Sequence, residues 1–130
     1  MAVAELAGEF RVPRNAFQQA SGSIHNDAVA SKLGFKIVAK ATYKPTDTEF
    51  VSQVTAMKNA GADHVWLTTV PSATGGILGA AAQLKYAPQW MGQSPSWIGA
   101  LAKSPLAQYL KAYMWVTGDA ACDWGSTAAG

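Results

Sequence analysis

The run GFKIVAK at residues 34–40 opens the stretch that decides the fold, and this stretch continues to Ser94. Its apolar residues predict a strand at 35–39, and a helical pattern follows over residues 46–60. A second strand is predicted at 64–69, a helix of small residues at 74–84 and a third strand at 89–92. Strands that alternate with helices in this way predict a three-layer α/β domain, with a parallel sheet and right-handed β-α-β crossovers.

The first long helix has clear start and stop signals. Thr46 and Glu49 have the spacing of a capping box, in which the hydroxyl and the carboxylate each accept a backbone N–H at the helix start. Gly61 is predicted to end the helix, because glycine readily adopts the backbone conformation that follows a helix. Four apolar residues at helical spacing are expected to pack on the sheet: Phe50, Val51, Val54 and Met57.

The flanking parts of the chain are less regular. Residues 1–24 have no clear hydrophobic period, and we expect them to be an uncertain N-terminal segment, either a linker or non-native. The α/β unit is predicted over residues 25–117. It begins with a short helix capped by Asn26 or Asp27 and ends with short helices broken near Ser104-Pro105 and a fourth strand at 113–116. Residues 118–130 are expected to be an irregular tail.

Composition excludes several classes of function. The chain has 130 residues, 49% of them hydrophobic, so one domain with a substantial core is expected. A net charge of +2 without a basic stripe predicts no nucleic-acid partner. Cys122 is the single cysteine, which excludes an intrachain disulfide. The start of the chain lacks the basic and apolar regions of a signal peptide, and no apolar run approaches the roughly 20 residues that span a bilayer.

Residues that often carry catalysis do not form a known pattern. Asp63 and His64 are neighbours on a predicted strand, so their side chains should point to opposite faces and form no dyad. His25 and Cys122 lack metal-ligand spacing. Ser94 lacks the following glycine of a nucleophile elbow. We therefore predict no catalytic residue, no metal and no cofactor.

The glycines at 75, 76 and 79 start a helix, where free N–H groups bind anions in some proteins. Their spacing matches neither a phosphate loop nor a dinucleotide-binding motif, so close packing of the helix on the sheet is the preferred interpretation. Ser72 and Thr74 suit either ligand contact or helix capping, and the sequence leaves both alternatives open.

Several runs together resemble the second lobe of type I periplasmic solute-binding proteins, in particular the binders of branched-chain amino acids and aromatic acids that serve ABC importers. These runs are Gly34-Phe35-Lys36-Ile37-Val38, Tyr43-x-Pro45-x-Asp47-Thr48-Glu49-Phe50, Lys58-Asn59-Ala60-Gly61-Ala62-Asp63-x-Val65 and Gln83-Leu84. The resemblance covers residues 26–117. It implies that the chain is a Rossmann-like second lobe, or a piece of one, and that the first lobe of the two-lobed protein is missing.

The resemblance also implies where a solute binds. Family members contact ligand through the loops after two neighbouring strands, which here are Thr69, Val70, Pro71 and Ser72, and then Gly92, Gln93 and Ser94. Amino-acid binders often carry a carboxylate at the position of Ser94 to pair with the ligand ammonium. Serine at this position favours a small organic acid over an amino acid.

The implied function is non-enzymatic solute binding, with an ABC permease as partner and a periplasmic or extracytoplasmic location of the full-length protein. One alternative is a small self-contained α/β enzyme or nucleotide-binding domain, for which Lys44 and Asp47 are the nearest charged candidates. Another is a piece without independent activity. Since the chain has five tryptophans and resembles a single lobe, we also expect an exposed apolar surface and self-association as a homodimer.

Overall fold

Five parallel strands form one sheet in the order β2-β1-β3-β4-β5. The structure is a computed structural model and describes residues 1–8, 31–44 and 46–117. Its strands are β1 (Ala2–Gly8), β2 (Lys36–Tyr43), β3 (His64–Thr68), β4 (Gln89–Gln93) and β5 (Met114–Thr117). Its helices are α1 (Val51–Asn59), α2 (Pro71–Gln83) and α3 (Ala107–Tyr113), with short 3-10 turns at Ser94–Ser96 and Leu101–Lys103. The predicted α/β fold with a parallel sheet is confirmed.

The central strand is β1, which lies outside the α/β unit predicted over residues 25–117. It pairs with β2 on one side and β3 on the other, and Ala4 and Leu6 are fully buried. A boundary at residue 25 therefore omits residues 2–8 from the unit to which they belong. Glu5 interrupts the apolar run of this strand, so the sequence shows no clear hydrophobic period there, although Glu5 is also buried in the sheet. The rest of the predicted N-terminal segment, residues 9–24, and the predicted tail lie outside the described residues.

The order of the strands shows where the chain reverses direction across the sheet. From β1 the chain moves outward to β2, and it then crosses back to β3 before continuing to β4 and β5. This reversal between β1 and β3 is the topological switch point of a doubly wound fold. Right-handed crossovers place α1, α2 and α3 on one face. Of the short helix predicted to begin at Asn26 or Asp27, residues 31–33 are described and are helical, and Gly34 follows with a φ of +72°.

The helix α1 begins later than its sequence signals predict. Its N-cap is Phe50, without a side-chain cap, so the predicted capping box of Thr46 and Glu49 is wrong. Asp47 instead closes a turn, because its Oδ2 accepts the Lys44 N–H at 2.8 Å and its own N–H donates to the Lys44 carbonyl at 2.9 Å. The predicted stop is confirmed, since Gly61 has a φ of +71°.

Three of the four apolar residues predicted to pack on the sheet are buried, namely Phe50, Val54 and Met57. Val51 is 43% exposed, because it lies on the outer side of the first turn of the shorter helix. The ring of Phe50 packs edge-on against Tyr43, with ring centroids 5.8 Å apart. A Cβ atom on Gly76 would lie 2.7 Å from this ring, so a glycine lets α2 approach the start of α1. The preferred packing interpretation holds for Gly76, although its partner is a helix rather than the sheet.

The two faces of the sheet differ in burial. Ala4, Val65 and Trp90 pair across β1, β3 and β4 on the face covered by α1 and α2, and all three are fully buried. Trp66, which neighbours Val65 on β3, points the other way and is only partly buried. Trp115 on the edge strand β5 is 71% exposed. An exposed apolar residue at this edge supports the expectation of an exposed apolar surface, and self-association stays a prediction.

The amino end of the sheet is fastened by polar contacts. Asp63 Oδ1 lies 2.8 Å from His64 Nδ1 and also accepts the Ala2 N–H at 2.8 Å. The expectation that Asp63 and His64 point apart is wrong, because β3 begins only at His64 and Asp63 lies in a bend before it. Nearby, Tyr86 donates its hydroxyl to the Ala62 carbonyl at 2.7 Å, and burial raises the pKa of Tyr86 to about 12. These contacts secure the start of β1 and β3 and lie at the opposite end of the strands from the loops with predicted ligand contacts.

The contacts of Asp63 predict a pH-dependent stability. The hydrogen bond from His64, followed by that from Ala2, lowers the pKa of Asp63 below its ordinary value of 3.8. A lowered pKa contributes stability that is present above about pH 4 and is lost as the pH falls through the folded-state pKa. Asp63→Asn should therefore lower the free energy of unfolding by less than about 1 kcal/mol near pH 6, because solvent screens the exposed pair of Asp63 and His64. The difference from the original chain should vanish near about pH 2, measured by urea unfolding at both values.

Candidate functional site

The candidate site lies where the neighbouring strands β3 and β4 end. Thr69 and Val70 connect β3 to α2, and Pro71 and Ser72 are the first two residues of that helix. Gly92 and Gln93 end β4, and Ser94 begins the following 3-10 turn. We call residues 69–72 and 92–96 the two loops. Because both strands are parallel neighbours, the two loops open at the same edge of the sheet. The structure thus places all seven predicted ligand-contact residues along one edge.

These seven residues differ in their access to solvent. Ser72, Gln93 and Ser94 are exposed, and Val70 and Pro71 are partly buried. Thr69 and Gly92 are buried and lie beneath the surface that the other five form. A ligand at this edge would therefore meet Ser72 on one loop and Gln93 and Ser94 on the other, whereas Thr69 and Gly92 support the loops from below.

Three buried hydroxyls link the two loops. Thr69 Oγ1 lies 2.7 Å from Thr74 Oγ1 and 3.3 Å from Ser96 Oγ. Thr74 donates to the Val70 carbonyl at 3.1 Å, and the Thr69 N–H donates to Ser96 Oγ at 3.4 Å. We call Thr69, Thr74 and Ser96 the hydroxyl cluster. It satisfies polar groups that burial would otherwise leave without partners.

The amino end of α2 lies at the same edge and has no side-chain cap. Its N-cap is Val70, and Pro71 occupies the first helical position. The alternative in which Ser72 or Thr74 caps this helix is therefore wrong, since Thr74 lies within the helix and is fully buried. The Val70 N–H donates to the Tyr43 hydroxyl at 3.2 Å. The backbone N–H groups in the first turn of a helix attract anions, and the positive end of the helix dipole adds to this attraction.

Gly92 gives the second loop its close approach to the sheet edge. A Cβ atom at this position would lie 3.0 Å from Met114 Cε and 3.3 Å from Ser96 Cβ. A side chain at this position would require Met114 and Ser96 to shift by a few tenths of an ångström. The small residue therefore helps to hold the two loops together.

The charged residues considered for catalysis lie in a different loop. Lys44 and Asp47 form the turn between β2 and α1, in which their backbone groups and the Asp47 carboxylate satisfy one another. Residues 69–72 and 92–96, which form the candidate site, contain no charged side chain. Within residues 1–8, 31–44 and 46–117, no three His, Cys, Asp or Glu side chains are grouped so that they could hold a metal ion.

Sequence reasoning missed Tyr43 and Ser96 as organisers of the site. Both contact the first loop from 27 residues away along the chain. No local pattern marks such partners, because only the pairing of the strands brings them together. The sequence predicts ligand contact or helix capping for Thr74, and not the buried contact that the structure shows.

None of the helices in the described part of the chain is long and apolar enough to cross a membrane. No curated protein matches the chain at a significant level. Residues 14–125 match the model of a family described as periplasmic binding protein. This match covers well over half of the chain.

Several solved structures share the fold. A fatty acid ABC transporter substrate-binding protein from Thermomonospora curvata has a TM-score of 0.71 at 19% identity, over 88% of this chain and 28% of that chain. A putative branched-chain amino acid ABC transporter from Rhodospirillum rubrum has a TM-score of 0.63 at 13% identity, over 86% of this chain and 37% of that chain. A solute-binding protein of an ABC transporter from Rhodopseudomonas palustris BisB5, in complex with 3,4-dihydroxybenzoic acid, has a TM-score of 0.58 at 18% identity, again over 86% and 37%.

At these identities the likeness establishes the fold alone. The chain spans between 28% and 37% of the length of these three proteins.

Proposed function

Because the chain belongs to the periplasmic binding protein family, we propose that it is a solute-binding lobe of an extracytoplasmic receptor that serves an ABC importer. This family is a substrate-binding, non-enzymatic class. The observation that carries the proposal is the uncapped amino end of α2 beside the exposed residues Gln93 and Ser94. Two strand-end loops with exposed polar side chains at the carboxyl edge of the sheet support the proposal, because open α/β sheets bind ligands at this edge, and the loop after β3 borders the switch point between β1 and β3.

The proposed solute is a small organic acid. A carboxylate at the amino end of α2 would accept backbone N–H groups there and interact favourably with the helix dipole. Ser94 faces the same edge with a neutral hydroxyl, so the described loops offer a ligand ammonium no carboxylate partner. An amino acid is therefore the less favoured solute. The relatives whose names mention fatty acid and 3,4-dihydroxybenzoic acid make these two acids suitable probes.

The proposed mechanism needs the other lobe of the receptor, the first lobe. In this proposal, the two strand-end loops form one wall of a cleft, and the missing first lobe forms the other wall. Hinge closure around the solute would bury its polar groups and create the surface that a permease recognises. The residues proposed to contact solute are Thr69, Val70, Pro71, Ser72, Gly92, Gln93 and Ser94, with Thr69 and Gly92 acting from beneath the surface.

A binding screen tests the proposal. The chain alone, and the chain joined to the first lobe of a family member, are titrated with 3,4-dihydroxybenzoate, octanoate and L-leucine by calorimetry and thermal shift. We expect the two-lobed protein to bind at least one carboxylate and to gain stability that grows with its concentration. Failure of both proteins to bind any of the three, together with turnover of a substrate or binding of a nucleotide by the chain alone, would favour the enzyme alternative.

A charge at Ser94 provides a sharper test. Ser94→Asp should weaken binding of a carboxylate probe about tenfold, which corresponds to about 1.4 kcal/mol, because the new negative charge repels the ligand. Ser94→Asn introduces a side chain with the shape of aspartate but without its charge, and it should change the Kd less than about threefold. Equal effects of the two variants would mean that the ligand carboxylate does not lie near this residue.

A further inference from the structure

Ser96 is fully buried although it follows two exposed residues, Ser94 and Pro95. Its Oγ donates to the Leu67 carbonyl at 3.4 Å and accepts the Thr69 N–H at 3.4 Å. Thr69 Oγ1 lies 3.3 Å from the same oxygen. All three contacts belong to the end of β3, so this single side chain connects the turn after β4 to the neighbouring strand.

The connection extends into α2 through the hydroxyl cluster. Thr69 Oγ1 is only 2.7 Å from Thr74 Oγ1, and Thr74 donates to the Val70 carbonyl. A short contact therefore fixes the first loop to α2. The contacts of Ser96 are longer than the typical distances of about 2.7–2.8 Å for O–H···O and about 2.9–3.0 Å for N–H···O hydrogen bonds. Ser96 is the weaker part of the link between the loops, and its removal should separate their motions without unfolding the sheet.

We propose that Ser96 is a positioning residue for solute binding. It touches no solute. Its buried hydroxyl holds the turn after β4 against the end of β3, so that Ser72 on one loop and Gln93 and Ser94 on the other form one preorganised surface. The proposal rests on the proposed function for its effect on affinity, but the mechanical link between the loops can be tested without any ligand.

The first experiment measures residue-resolved amide hydrogen exchange of the chain without ligand. Ser96→Ala removes the hydroxyl and leaves the Thr69 N–H without its partner, so exchange at Thr69 should become about tenfold faster. The amides of Val70 and Thr74, which donate to Tyr43 and Val70, should also exchange faster, because the first loop is no longer held by the second. Unchanged exchange at all three residues would overturn the proposal.

The matched control lies at the other end of the strands. Tyr86→Phe removes one buried hydroxyl that donates to the Ala62 carbonyl, a loss similar in kind to that in Ser96→Ala. It should leave exchange at Thr69, Val70 and Thr74 unchanged. If it accelerates them as much as Ser96→Ala does, the effect reflects general loss of stability and the positioning role is wrong.

A double variant tests the path through the hydroxyl cluster. Thr74→Val keeps the shape of the side chain and removes its hydroxyl. If Ser96 acts on α2 through Thr69, the acceleration at Val70 in Ser96→Ala combined with Thr74→Val should be smaller than the product of the two single effects. If the acceleration in the double variant equals the product of the two single accelerations, the two residues act independently and the link between Ser96 and Thr74 is contradicted.

The second experiment measures affinity in the two-lobed protein, with 3,4-dihydroxybenzoate as the probe. Ser96→Ala should weaken binding about three- to tenfold, whereas Tyr86→Phe should leave the Kd unchanged even where it costs similar stability. An unchanged Kd in Ser96→Ala would overturn the positioning role. If the original protein binds no probe, the proposed function fails, while the exchange results still decide whether Ser96 links the loops.

Discussion

A chain shortened to begin at residue 25 is expected not to fold. The deletion removes β1, which lies between β2 and β3 and pairs with both along most of its length. Without it, two neighbouring strands lose their backbone partners, and the core loses Ala4 and Leu6. Such a loss exceeds the roughly 5–15 kcal/mol by which domains are stable. Far-UV circular dichroism and urea titration should show no cooperative transition, and a cooperative transition would show that β1 is dispensable.

A point substitution measures the same strand on a finer scale. Leu6 is fully buried in the middle of the sheet, so Leu6→Ala should lower the free energy of unfolding by about 2–5 kcal/mol. Leu33→Ala is the matched control, because Leu33 is 61% exposed and should cost less than about 0.5 kcal/mol. Similar losses in the two variants would mean that β1 does not lie in the core.

Trp90→Ala is expected to produce the largest loss of stability of any single substitution considered. Trp90 on β4 is fully buried, and its Nε1–H donates to the Tyr109 hydroxyl at 2.9 Å. Its ring also packs edge-on against Tyr86, with centroids 6.0 Å apart. Removing a buried tryptophan leaves a cavity, so the free energy of unfolding should fall by about 3–5 kcal/mol in urea titrations, although the Tyr109 hydroxyl keeps its hydrogen bond to the Tyr86 carbonyl.

Trp115 offers a matched control on the neighbouring strand. It pairs with Met91 next to Trp90, yet 71% of its surface is exposed. Trp115→Ala should change the free energy of unfolding by less than about 0.5 kcal/mol. A large loss in this variant would indicate that Trp115 is covered in solution, as the predicted self-association would require. Sedimentation of the original chain and of the variant would then show whether a second copy covers it.

The candidate site shows how the supporting residues of a binding surface differ from the contact residues. The family resemblance implies Ser72, Gln93 and Ser94 as contact residues, and loops at the carboxyl ends of neighbouring parallel strands meet at one sheet edge. The structure places the three residues at that edge, and their contact with a solute stays a prediction. The hydroxyl cluster beneath them follows from no pattern, since Ser96 and Thr69 are 27 residues apart.

Local signals were least dependable where the tertiary structure offered a better contact. Thr46 and Glu49 have the spacing of a capping box, but the helix begins at Val51 and Asp47 closes a turn with Lys44. The ring of Phe50 lies between Tyr43 and Gly76, and this packing fixes the helix start more strongly than one cap would. A cap contributes about 1 kcal/mol, whereas burial of a phenylalanine contributes about 1.5–3 kcal/mol.

The sequence by itself determined the alternation of strands and helices, the stop at Gly61, and the edge of the sheet at which residues 69–72 and 92–94 lie. These features depend on periodicity and on backbone conformations that glycine favours, which are local properties. Only the tertiary structure decided that β1 is the central strand, that Asp63 turns back to His64, and that Ser96 joins the two loops. Each of these depends on a partner distant in sequence or on where a strand begins, and the pairing of strands, not the order of residues, supplies such contacts.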